Sequence, residues 1–149
     1  MKKLFITALI AVSVATSAFA DVNVNTLAVS HFKTDYQNAT NVQWVTREDF
    51  TKVTFTLDGE NMNVFYNNEG TVIASSKAIA LDKLPASALR TITKEYPFPP
   101  YLLNECIEFT NAENEIKYYV SFTEEGKSKL ILEISEKGSV NVYSKNRIN

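Results

Sequence analysis

A chain of 149 residues with a formal charge of −2, 45% hydrophobic residues, one Cys and one His excludes several classes at once. It is too apolar and too aromatic to be disordered, too acidic and free of basic blocks to be a nucleic-acid binder, and unable to form an internal disulfide. Cys106 reads as a buried small hydrophobe.

The first twenty residues read separately. Lys2 and Lys3 precede an apolar run, Leu4 to Val14, and Ala18-Phe19-Ala20 closes it. That is the charged, apolar and small-residue order of an export signal, with cleavage expected after Ala20. The run is too short for a membrane span, so no stable membrane insertion of the mature chain is expected. Loss of the two lysines takes the formal charge to about −4 for Asp21 to Asn149. The expected location is the periplasm or the medium, and the expected organisation is one domain over 21–149.

The mature chain shows two similar halves, about 26–79 and 81–145. Each is expected to be a helix followed by strands. Thr26 to Tyr36 carries Leu27, Phe32 and Tyr36 at helical spacing, with Asn25 or Thr26 as its cap. Val42 and Trp44 mark a strand. Val53, Phe55 and Leu57 alternate inward, Asp58-Gly59 makes a hairpin turn, and Met62, Val64 and Tyr66 face the same core. Asn68-Glu69-Gly70 makes the next turn, and Val72 starts another strand. Pro85 suits a first helical turn, Ala88, Leu89, Ile92 and Tyr96 form a stripe, and Pro97 ends the helix. Ile107 and Phe109, then Tyr118, Val120 and Phe122, then Leu130, Leu132 and Ile134, then Val140 and Val142 give four more strands, with Gly126 and Gly138 in turns. The fold class that follows is α+β. It is a tandem repeat of a helix plus an antiparallel four-strand meander, with the helices packed on one face of the sheet.

The stretch Phe32-x3-Tyr36-x2-Ala39-Thr-Asn-Val42-x-Trp44, the strand end Tyr66-Asn-Asn-Glu-Gly70, Leu81-x2-Leu84-Pro85-Ala86-x-Ala88 and Tyr96-Pro97 resemble the bacterial PepSY-like proteins. These are also described as β-lactamase-inhibitor-protein-like. The resemblance spans about residues 26–145. It departs at Pro97-Phe98-Pro99-Pro100-Tyr101, and no second Trp matches Trp44. It implies a small exported protein with a sheet-and-helix fold that binds proteins or peptidases, and it carries over no catalytic residue.

A chemical site is not evident. His31, the sole histidine, lies four residues before Asp35 on one helical face, without a nucleophile context. Nothing beside Cys106 lowers its pKa. One His and one Cys cannot make the common zinc sets, and Asn111 to Glu115 lacks a calcium loop. No enzyme activity, metal or cofactor is expected. Recognition is the better reading. Phe65, Tyr119 and Ile131 alternate out of phase with the core residues and are expected on the solvent face, while Pro97 to Tyr101 would present Phe98 and Tyr101 rigidly. The expected function is an exported non-enzymatic module that binds an unknown envelope or secreted protein, by plain interaction or by inhibition of a peptidase or other enzyme. The alternative is a periplasmic small-ligand carrier with a cavity lined by Tyr36, Trp44 and Tyr96.

Overall fold

A computed structural model describes residues 24–125 and 127–147. The expected leader and the turn at Gly126 lie outside them. Helix α1 (Thr26–Asp35) is followed by strands β1 (Thr40–Thr46), β2 (Thr51–Leu57), β3 (Glu60–Tyr66) and β4 (Val72–Ala78). A short 3-10 turn (Leu81–Lys83) leads to α2 (Ala86–Glu95), then β5 (Tyr101–Asn111), β6 (Ile116–Glu124), β7 (Ser128–Ser135) and β8 (Val140–Arg147).

The expected fold class needs correction. The strands make one eight-stranded antiparallel sheet in the order β1 to β8, not a tandem of two helix-plus-meander layers. Successive strands pair through short turns, and the helix between β4 and β5 interrupts the chain without interrupting the strand order. Tight clustering nevertheless divides the residues into two units, one of residues 24–77 with Asn111–Glu113 and one of Ala78–Thr110 with the residues from Asn114 on.

In the first unit, Asn25 caps α1: its Oδ1 accepts the N–H groups of Leu27 (2.9 Å) and Ala28 (3.3 Å). Ala28 and Phe32, not Leu27, are the buried residues of α1. They form one cluster with Val53, Phe55, Val64 and Tyr66, the strand residues that alternation placed inward. The Asp58-Gly59 turn joins β2 to β3 in strict register, Leu57 opposite Glu60, with both turn residues at positive φ. Val42 does not share the inward side with Trp44. The β1–β2 register shifts between Thr40 and Gln43, which breaks the alternation and leaves Val42 exposed.

In the second unit, Pro85 is the N-cap of α2 and Tyr96 its C-cap, with Pro97 beyond. Ala88 and Ile92 of α2 cluster with Cys106, Val120, Phe122, Leu130, Leu132 and Ile134. Among the described residues no helix is long and apolar enough to cross a membrane.

Candidate interaction surface

The three residues expected on the solvent face are not on the surface. Phe65, Tyr119 and Ile131 are 0%, 2% and 6% exposed. Alternation puts their side chains on the strand face opposite to Val64, Val120 and Leu132, but that face is covered too. The Phe50 ring, delivered by the β1–β2 turn, lies 5.6 Å from that of Phe65. Tyr119 is flanked by Phe109 at 6.1 Å and Tyr143 at 5.6 Å, and its hydroxyl donates to Glu133 Oε2 at 2.7 Å. Ile131 sits between Ser121 of β6 and Ser144 of β8. These side chains are packing elements.

The segment after α2 is different. Tyr96 ends the helix by donating its N–H to the Ile92 carbonyl (2.8 Å), and the Tyr101 N–H donates to the Pro97 carbonyl (3.3 Å). The Pro100 carbonyl accepts the Glu125 N–H (3.1 Å), which ties the loop to the end of β6. Tyr101 is half-buried, its ring 5.3 Å from Tyr96 and 6.3 Å from Phe122, while Tyr96 stacks on Phe122 at 5.9 Å. This aromatic triad anchors the segment. Phe98 is 76% exposed, and Leu102 and Leu103 of β5 are 44% and 47% exposed. Three large apolar side chains are thus exposed along the segment, Phe98 in the loop and Leu102 and Leu103 at the start of β5.

Charges border this patch. Glu124, register partner of Tyr101, accepts from Lys145 Nζ (2.9 Å) and Ser128 Oγ (2.9 Å), with Lys127 Nζ at 3.6 Å. The Lys145 hydrogen bond, with that of Ser128, holds the Glu124 carboxyl below the usual carboxylate range, and the same contact raises Lys145. Phe98 and Tyr101 were the residues that the proline pattern singled out. Leu102 and Leu103 were not, because both are exposed in succession. A strand normally hides every second residue, and the β5–β6 register shifts between Leu103 and Glu105.

The other sites read from sequence have structural roles. The His31 Nδ1–H donates to the Gly70 carbonyl at 2.7 Å, tying α1 to the β3–β4 turn. Cys106 is buried, and desolvation pushes its thiol up to about 12, the reverse of what a nucleophile needs. No group of three His, Cys, Asp or Glu side chains placed to hold a metal occurs among the described residues. Two of the residues expected to line a carrier cavity, Tyr36 and Trp44, pack their rings 5.3 Å from Phe32, and Tyr36 also lies 4.8 Å from Phe55. Tyr96 belongs to the separate Tyr101–Phe122 triad.

Comparison with known proteins adds a fold relationship. No protein-family model matches the chain, and no curated protein matches it. Solved structures do. A BLIP-like protein from Bacteroides fragilis is 16% identical, with 82% of this chain and 84% of that one covered and a TM-score of 0.63. A DUF2874-family protein from Bacteroides uniformis is 11% identical over 83% and 89% of the two chains, with a TM-score of 0.71. A proposed periplasmic protein from Bacteroides eggerthii is 14% identical over 83% and 88%, also with a TM-score of 0.71. The chain shares its fold with these proteins. The β-lactamase-inhibitor-protein-like side of the expected resemblance therefore has a structural counterpart, whereas these three structures lend the PepSY side no support.

Proposed function

We propose that this chain is an exported, non-enzymatic binding module whose contact surface is the segment from Phe98 to Leu103. One observation carries the reading: Phe98, Leu102 and Leu103 are all exposed on a segment pinned by the Tyr96–Tyr101–Phe122 triad. Exposed large apolar side chains on a tied segment are candidates for interaction sites, and a preorganised aromatic anchor with charges nearby is the anatomy of an interface hot spot. The fold shared with a BLIP-like protein and with a proposed periplasmic protein supports an envelope setting. So does the export-signal pattern of residues 1–20, with Asp21 to Asn149 as a single mature domain. The partner is an envelope or secreted protein, and plugging of an enzyme's cleft by Phe98 is the mode that this geometry fits best. Tyr101 acts as the anchor beneath the contact, while Phe65, Tyr119 and Ile131 contribute to packing alone.

Photo-crosslinking tests this. A photoreactive phenylalanine at position 98 should give a discrete adduct in the native envelope, and the same label at exposed Val142 should not. The Phe98→Ala, Leu103→Ala double variant should melt within about 1 °C of the parent and no longer compete for the adduct. Equal adducts at 98 and 142, or undiminished competition, would reject the surface.

A further inference from the structure

We propose that β1 is a dimerisation edge, pairing antiparallel with β1 of a second copy of this chain about a two-fold axis. The inference stands apart from the Phe98 surface, since it uses the residues of β1 and none from Phe98 to Leu103.

Terminal strands expose a row of unpaired backbone groups, and proteins blunt them with charges or proline. The two terminal strands here differ. β8 carries Lys145 and Arg147. β1, Thr-Asn-Val-Gln-Trp-Val-Thr, has no charge, no proline and no glycine, and four of its seven residues are β-branched. The register shift between Thr40 and Gln43 disturbs only its beginning. Gln43 to Thr46 run regularly, and all of β1 except Trp44 is exposed.

The hydrogen-bond parity defines what the open edge offers. Thr46 pairs with Thr51 and Val45 with Lys52, and the Arg47 N–H donates to the Phe50 carbonyl at 2.7 Å. In an antiparallel ladder the bonded pairs alternate. Arg47, Val45 and Gln43 therefore turn their N–H and C=O groups to β2, while Trp44 and Thr46 turn theirs outward. Among the described residues no strand pairs with that side.

One symmetric register satisfies all four outward groups. With the two-fold axis at Val45, Trp44 of each copy exchanges both bonds with Thr46 of the other. Val45 then faces its own mate across the close, non-bonded site, where Cα atoms stand about 4.5 Å apart. Val45 is 38% exposed in the single chain, so the pair removes apolar surface from water. The self-complementary register, with Val45 against Val45 and the same four backbone groups satisfying one another, favours a second copy as the occupant. The register sets Arg47 opposite neutral Gln43 and Glu48 opposite Val42, so no like charges meet.

Sedimentation velocity on the purified protein from about 1 µM to about 1 mM reads the outcome. The parent should shift from monomer to dimer mass across that range. Val45→Lys sets two ammonium groups face to face and should weaken association at least tenfold, as should Val45→Glu. An equimolar mixture of these two variants should restore the dimer, because the register brings opposite charges together. Thr46→Pro removes an outward N–H that β2 does not use and should weaken association similarly. Its melting curve reports whether it folds, and the Val45 variants decide the matter if it does not. A parent that stays monomeric throughout, a dimer indifferent to both Val45 charges, or a mixture that fails to re-associate would overturn the proposal.

Discussion

Gly70 sits at the turn between β3 and β4 with φ of +78°, and a Cβ there would stand 2.6 Å from Leu27 Cβ and 3.0 Å from the Ala28 nitrogen. The contact is the close approach of the first turn of α1 to the β3–β4 turn, so neither neighbour is a flexible side-chain end that can swing away. Gly59 has a similar φ, +85°, but nothing within 4 Å of its Cβ position. The pair separates two costs. Gly59→Ala should lower stability by about 1 kcal/mol, the penalty of the left-handed region alone. Gly70→Ala should lose about 2–4 kcal/mol, because a displaced helix adds to the same backbone strain. Urea midpoints of the two variants measure this, and equal losses would mean that the helix yields at no cost.

At the scale of elements, α1 depends on its cap. Asn25→Ala removes the acceptor of two helix-end N–H groups and should cost about 1 kcal/mol in thermal melts, with Asn25→Ser recovering most of it. The sequence narrows this cap to Asn25 or Thr26, and it makes legible the Asp58-Gly59 hairpin, the Pro97 stop and the inward phase of Val53, Phe55, Val64 and Tyr66. These features are local, set by backbone chemistry or by a period of two. The order of all eight strands was not legible, because nothing local tells a strand whether its next neighbour follows a turn or a whole helix. Alternation also tells which side of a strand a residue takes but not what lies over that side. Phe65 lies opposite to Val64 along β3, as a period of two requires, yet Phe50 covers it from a turn that no periodicity describes. Val42 and Trp44 mark β1 in the sequence, but the register shift between Thr40 and Gln43 beside Asn41, φ +54°, which leaves Val42 exposed, has no signal in the alternation. For the candidate site, Phe98 was visible through its flanking prolines, whereas Leu102 and Leu103 were hidden by the expectation that one of two consecutive strand residues turns inward.

At the scale of the molecule, stability should be bounded by pH on both sides. Tyr66, in the first unit, is buried with no hydrogen-bond partner for its hydroxyl among the described residues. Desolvation raises its pKa well above the ordinary value of 10, and Tyr36 and Asp35 nearby act in the same direction. Tyr119, in the second unit, is raised by desolvation first and then by its hydrogen bond to Glu133. An unfolded chain releases these protons near pH 10, while the folded chain retains them. The phenols thus contribute stability that is complete below about pH 10 and declines as pH rises beyond it. On the acid side, the depressed Glu124 carboxyl contributes stability that is present above the usual carboxylate range and is lost as pH falls through its folded value. Urea midpoints should therefore be level from about pH 6 to about pH 9 and fall on either side. Tyr119→Phe should shallow the alkaline fall, since it removes one ionisable phenol and leaves the ring between Phe109 and Tyr143. It should leave the acid limb unchanged, because Glu124 belongs to the Lys145 cluster. A midpoint at pH 11 equal to that at pH 8 would show that the phenols ionise freely in the folded state, and that the faces of β3 and β6 are open to water.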